Sequence, residues 1–290
     1  MQSNYRMILR AVGALSLCSV VLTGCSTDKK ANAAQPAASK EGSVAPRAAV
    51  ISTPSQPYRV TQVIGGGKLS GTVDFDGVIP SDSTITLSAD QAGCGQTIKL
   101  KQVENVGTKI GGAVVWLTDI RSGKQLPMQK RFELVNEDCQ LSPHVQAVLA
   151  SGTLNVASED VAMHRDRIIN VATGEVEGIA PFNDNGEVVP FDRLLDKPAQ
   201  LEVICDLHPW SKAHILVVDH PYFATTERSG SFSIDDIPPG TYHVKAWHPA
   251  LGVAEQVVTI GAGQPASVAL KLAPSLAPPP TPADSQKKGV

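Results

Sequence analysis

The sequence has few aromatic side chains and almost no excess charge. Aromatic residues make up 4% of its 290 residues, and the formal net charge is −3. A protein that binds nucleic acid non-specifically needs a basic footprint, which this composition does not provide. Hydrophobic residues still account for 42%, too many for a chain that is disordered over most of its length. Gly (24) and Pro (21) are plentiful, which favours short strands and turns over helices.

Motifs that carry catalysis are also missing. The sequence has no Ser-His-Asp arrangement with its supporting motifs, no glycine-rich phosphate-binding loop and no H-E-x-x-H segment. The adjacent Asp235 and Asp236 are typical of a turn rather than of a catalytic carboxylate pair. The sequence therefore predicts a protein that is not an enzyme.

The first 24 residues have the features of an export signal. Arg6 and Arg10 precede an apolar run at residues 11–22, which is too short for a comfortable membrane span. The run ends in Leu22-Thr23-Gly24-Cys25, which resembles the bacterial lipobox; the alternative is an ordinary signal peptide with a chance Cys. The resemblance implies that residues 1–24 are removed and that a lipid on Cys25 anchors the protein to a membrane. Because Ser26 follows, it also implies an outer-membrane lipoprotein of the cell envelope, facing the periplasm or the cell surface.

The rest of the chain is predicted to be all-β. Residues 25–60 have the composition of a flexible tether, and residues 273–290 that of a Pro-rich disordered tail. No window shows a capped helical stripe, and residues from the 160s to the 190s have the composition of a loop. Period-two alternation or short apolar runs predict strands at 68–75, 111–117, 145–156, 199–204, 215–219, 231–234, 241–247, 255–260 and 267–272.

Cysteine usage predicts one disulfide and one free thiol. Cys18 leaves with the signal and Cys25 carries the lipid, so Cys94, Cys139 and Cys205 remain. The envelope is oxidising, which permits a disulfide. Cys94 and Cys139 both lie at loop or strand-end positions and are predicted to pair. An unpaired Cys205 is then either buried and inert or functional.

One group of residues has the chemistry of a metal site. Cys205 and His208 are three positions apart, and His164 lies upstream. One thiolate and two imidazoles held by a rigid β-sandwich are the ligand set of copper electron-transfer sites. Zinc accepts the same ligands, but structural zinc usually takes four. The alternative is structural: Cys205 as a small buried hydrophobe and His208 as a turn cap before Pro209.

Several segments resemble bacterial periplasmic cupredoxin-like proteins. Ile204-Cys-Asp-Leu-His-Pro-Trp210 is similar to the amicyanin-type ligand loop. The wider likeness covers roughly residues 65–272, and it implies a cupredoxin-like sandwich at 61–220 followed by a carboxypeptidase-regulatory-like, transthyretin-like sandwich at 221–272. The segments that carry it are Cys94-Gly95, Ala113-Val-Val-Trp-Leu117, Cys139-x-x-Ser-Pro-His-Val145, Asp219-His-Pro-Tyr222, Gly230-Ser-Phe-Ser-Ile234, Ile237-Pro-Pro-Gly-Thr-Tyr242 and Ala246-Trp-His-Pro249.

The resemblance implies copper held by His164, Cys205 and His208, with one-electron transfer through His208. Two positions depart from the family pattern. Ser211 stands where the amicyanin-type loop has its axial Met, and Arg165 stands where the family tends to have Asn. His144 and Ser211 are the candidate fourth ligands. The expected partner of an electron carrier is a redox protein. The alternatives are a metal-free docking subunit of an envelope complex and a copper storage or delivery protein.

Overall fold

The computed structural model describes residues 49–51, 54, 56–128 and 130–273. The predicted signal, the lipidation at Cys25, most of the tether and nearly all of the tail lie outside the described residues. Apart from a 3-10 segment, Ala89–Cys94, the regular structure in the described ranges consists of strands, which confirms the all-β prediction. Within the same ranges there is no helix with the length and apolar character needed to cross a membrane.

Twenty-two strands, numbered in chain order, follow one another along the described residues. The strands before residue 130 are β1 (Arg59–Val60), β2 (Gly67–Asp74), β3 (Ser83–Thr86), β4 (Thr97–Leu100), β5 (Asn105–Val106), β6 (Lys109–Ile110), β7 (Val114–Leu117) and β8 (Ser122–Gly123). The middle strands are β9 (Arg131–Glu137), β10 (Gln140–Ser142), β11 (Val145–Leu149), β12 (Thr153–Ser158), β13 (His164–Asn170), β14 (Val176–Phe182), β15 (Val188–Phe191), β16 (Ala199–Cys205) and β17 (Lys212–Val218). The last are β18 (Phe223–Thr225), β19 (Ser231–Ile237), β20 (Gly240–His248), β21 (Gly252–Ile260) and β22 (Pro265–Lys271).

The first sandwich combines strands from both ends of the described chain. One sheet has the order β19-β2-β6-β5, with β22 also paired to β2, and the other has the order β18-β7-β20-β21. Their inward side chains form one core, in which Leu69 of β2 meets Val115 of β7 and Val244 of β20. The alternation predicted for residues 68–75 is therefore the core-facing pattern of a central strand.

The second sandwich contains all strands from β9 to β17. Its sheets have the orders β10-β9-β12-β15 and β11-β17-β16-β13-β14. Leu134, Val156 and Val203 lie in its core. In the five-stranded sheet β16 lies between β13 and β17 and is antiparallel to both. The start of β13, the end of β16 and the start of β17 therefore lie at the same end of that sheet.

A third apolar cluster joins the two sandwiches. Trp116 and Trp247 of the first sandwich contact Leu216 and Val218 of the second. β7 is buried at all four positions because Val115 and Leu117 face the first core while Val114 and Trp116 face this cluster. A strand buried on both faces has a continuous apolar sequence rather than an alternating one.

The strand pairing differs from the predicted division at residues 220 and 221. β2 and β7, which precede the second sandwich in the chain, pair with β19 and β20, which follow it. The second sandwich is thus inserted between two parts of the first. Period-two alternation shows that a residue faces a core, but it does not show which distant strand supplies the other side of that core.

The prediction of a loop from the 160s to the 190s is wrong. This region contains β13, β14 and β15, and β13 pairs with both β14 and β16. Residues 183–186 form the turn that separates β14 from β15.

Candidate metal centre

The three predicted ligands meet at one end of the five-stranded sheet. His164 is the first residue of β13, and Cys205 is the last residue of the adjacent β16. His208 lies in the short connection to β17. Two backbone hydrogen bonds close that connection: Cys205 N–H donates to Ser211 O (3.2 Å), and Ser211 N–H donates to His208 O (2.8 Å). Strand pairing and a tight loop therefore fix all three side chains.

The donor atoms form a compact triangle. Cys205 Sγ lies 3.6 Å from the Nδ1 atoms of both His164 and His208, and the two Nδ1 atoms are 3.1 Å apart. A point equidistant from these atoms lies about 2 Å from each, close to the bond lengths of transition metals to imidazole nitrogen and thiolate sulfur. The side chains are 0%, 1% and 4% exposed for Cys205, His164 and His208. The residues present fit a small three-coordinate metal ion.

Asp160 fixes the orientation and the tautomer of His164. His164 Nε2–H donates to Asp160 Oδ2 at 2.9 Å. The same oxygen accepts from Cys139 N–H at 3.0 Å. A carboxylate on Nε2 holds the proton there, so the Nδ1 lone pair faces the other two donors. Carboxylate–imidazole–metal arrangements of this kind orient a ligand and raise its basicity. Asp160 was not predicted, although its i,i+4 spacing to His164 was a usable signal.

Burial keeps the other two ligands uncharged when no metal is bound. Burial, together with the nearby His164, lowers the pKa of His208 to about 4, while Asp160 opposes the shift. Burial, followed by the charge of Asp166, raises the pKa of the Cys205 thiol to about 11. His208 therefore offers a free lone pair at neutral pH, whereas Cys205 must lose a proton when a metal binds.

A buried polar pair lies behind the thiol. Asp166 pairs across the strands with Cys205 in the register of β13 and β16. Its Oδ2 accepts a hydrogen bond from Asn136 Nδ2 at 2.6 Å, while Asp166 Oδ1 and Asn136 Oδ1 have no partner. Burial raises the pKa of this carboxyl group, against the lowering effect of Asn136 and Cys205. Neither residue was predicted, because a polar residue facing a core breaks the expected hydrophobic alternation.

The two candidate fourth ligands lie elsewhere. Ser211 Oγ accepts a hydrogen bond from Leu141 N–H at 2.9 Å. His144 Nδ1 bonds Lys212 O at 2.9 Å, and its ring packs edge-on against His214. His144 does not belong to a group of converging His, Cys, Asp or Glu ligand atoms among the described residues. Arg165, the other departure from the family pattern, directs its guanidinium to Asp206.

The predicted disulfide forms, and it covers the site. Cys94 and Cys139 are bonded, with 5.6 Å between their Cα atoms, and Cys205 is a free thiol. Cys94 Sγ lies 3.2 Å from His208 Nε2. The Trp210 ring lies beside the His208 ring, and Trp210 Nε1–H donates to Cys139 O. His208, through which electron transfer is expected, is thus covered on its outer edge.

Comparison with known families gives one partial match. Residues 203–268 match the family described as polysaccharide lyase family 4, domain II. No curated protein matches the chain.

Solved structures similar to this chain include a cupredoxin, an auracyanin and a copper-containing nitrite reductase. A purple cupredoxin from Nitrosopumilus maritimus is 15% identical, with a TM-score of 0.26 over 30% of this chain and 99% of its own. Reduced auracyanin from Roseiflexus castenholzii is 11% identical, with a TM-score of 0.25 over 32% and 99%. A copper-containing nitrite reductase from Thermus scotoductus is 19% identical, with a TM-score of 0.26 over 51% and 28%.

Proposed function

We propose that this protein binds one copper ion through His164, Cys205 and His208 and carries single electrons. The triangle of buried donor atoms supports this proposal. One thiolate and two imidazoles are the ligand set of copper electron-transfer sites, where the ion alternates between Cu(I) and Cu(II). The protein supplies the rigid frame: strand pairing holds His164 and Cys205, and two backbone hydrogen bonds hold His208.

A copper titration tests the proposal. The soluble form that begins at Ser26 is titrated with Cu(II), and thiolate-to-copper absorption is followed in the visible range. The expected result is an intense band that saturates at about one copper per chain and is lost in Cys205→Ala. His144→Ala is the matched control, because it removes a nearby histidine outside the triangle. Absence of the band in the unmodified protein, or its persistence in Cys205→Ala, would refute the proposal.

Copper storage or delivery is a second candidate. The observation that favours it is the covered outer edge of His208, because a covered ligand slows the transfer of electrons to a partner protein. This candidate predicts tight Cu(I) binding without a reversible voltammetric wave, whereas the electron-carrier proposal predicts a reversible wave. Voltammetry of the copper-loaded protein separates the two.

We also propose that the protein works in the cell envelope as an anchored carrier rather than an enzyme. The support is the sequence of residues 1–25 with its lipobox-like end. A redox protein or an envelope complex is the partner that this placement implies. The mass of the N-terminal peptide from membrane-extracted protein tests the anchor, since an unmodified Cys25 would exclude it.

A further inference from the structure

His208 lies between the thiol of Cys205 and the Cys94–Cys139 disulfide. Its Nδ1 faces Cys205 Sγ at 3.6 Å, and its Nε2 faces Cys94 Sγ at 3.2 Å. The ligand atoms of Cys94, Cys139 and His208 lie within 4.8 Å of one another and form a second group with the composition of a metal site. In the disulfide form the two sulfurs of this group are bonded to each other and bind no metal as thiolates.

The two cysteines of the disulfide lie on different elements of the fold. Cys94 ends the 3-10 segment of the hairpin β3–β4, and these two strands pair only with each other among the described strands. Cys139 lies in the tight turn between β9 and β10, in a separate part of the sandwich. Cys94 is half-buried whereas Cys139 is fully buried, so Cys94 is the more exposed of the two residues.

We propose that reduction of Cys94–Cys139 creates a second metal site, for Cu(I), next to the first. A dithiol reductant supplies two electrons and two protons, breaking the S–S bond to give two thiols while the reductant becomes a disulfide. Binding of Cu(I) then displaces both thiol protons. Thiolates select Cu(I) because both are soft. His208 Nε2 is the third donor.

The two sites share one imidazole. A neutral histidine has one nitrogen with a free lone pair, so His208 serves either the Cys205 group through Nδ1 or the cysteine pair through Nε2. Reduction of the disulfide therefore offers copper an adjoining sulfur-rich position and draws His208 away from the first. This inference does not need the first site to transfer electrons.

The test uses Cys205→Ala, which removes the first site. The protein is reduced with dithiothreitol, freed of reductant under nitrogen, and titrated with Cu(I) against a chromogenic Cu(I) chelator. The expected result is about one Cu(I) bound per chain in the reduced form and none in the oxidised form. The triple variant with Cys94→Ala and Cys139→Ala added should bind none in either form. Reduced Cys205→Ala that binds no more Cu(I) than the triple variant would overturn the inference.

Two further measurements address misfolding of Cys205→Ala and the role of His208 as a ligand. In unmodified protein, reduction should raise the affinity for Cu(I) above that of the oxidised form, because the second site offers two thiolates instead of one. This measurement serves as the test if Cys205→Ala does not fold. Adding His208→Ala to Cys205→Ala should weaken Cu(I) binding to the reduced form by about tenfold or more, because the third donor is lost. Cys205→Ala lacks the proposed electron-transfer site. A negative result for the second site therefore does not change the outcome of the copper-band experiment, and a missing copper band does not change the result for the second site.

Discussion

Replacing Asp160 with Ala is expected to weaken copper binding to the oxidised protein by about ten- to hundredfold. Asp160 Oδ2 holds the proton on His164 Nε2 and so directs the Nδ1 lone pair to the donor triangle. Without the carboxylate, His164 is free to rotate and to carry its proton on Nδ1, where it blocks the metal. The affinity is measured by competition with a chelator of known copper affinity.

Asp160 also accepts a hydrogen bond from Cys139 N–H, so a structural effect must be separated from an effect on the ligand. Asp160→Asn keeps an acceptor oxygen without the charge and should restore most of the affinity lost in Asp160→Ala. Asp192→Ala is the matched control, because Asp192 accepts a hydrogen bond from an exposed Thr153 hydroxyl on the same sandwich and should leave copper binding unchanged. Wild-type affinity in Asp160→Ala would contradict the assigned role.

The sequence predicts strands well where the buried side chains are apolar, and poorly where buried polar side chains form the candidate site. The continuous run of β7 was correctly interpreted as a core strand, since both of its faces are apolar. β13 was missed because its first two inward positions carry His164 and Asp166, where alternation predicts hydrophobic residues. Functional residues that face a core thus hide the strand that carries them.

The ligand residues of the candidate site could be predicted from the sequence, but the residues that cover them could not. Residue type and the three-position spacing were enough to propose Cys205 and His208 with His164, and elimination was enough to propose the disulfide. The contact of Cys94 with His208 joins residues 114 positions apart. A contact at that separation depends on how the hairpin β3–β4 lies over the second sandwich, and no local pattern encodes it.

Acid is expected to destabilise the fold through two buried histidines away from the metal centre. His220 and His248 are 2% exposed each. Each Nδ1 accepts a hydrogen bond from a backbone N–H two residues later, of Tyr222 and Ala250 (3.2 Å in both). An accepting nitrogen has no proton, so both rings are neutral in the fold. Burial lowers the pKa of each to about 4.

Stability falls in acid because the unfolded chain takes up more protons than the folded protein. In the unfolded chain these histidines titrate near 6.5, so below that pH the unfolded state binds more protons than the folded state and stability falls. The loss begins near pH 6.5 and is complete near pH 4. At about pH 5 it amounts to roughly 2 kcal/mol for each histidine.

Asparagine at both positions should remove most of this loss. The Asn side-chain oxygen can accept the same i+2 N–H, as in an Asx turn, but it does not titrate. The free energy of unfolding is measured by denaturant titration at neutral pH and at about pH 5, for the wild type, His220→Asn with His248→Asn, and the control His243→Asn at a half-exposed position. The control should lose stability as the wild type does. An equal loss in the double variant would show that other groups cause the acid sensitivity.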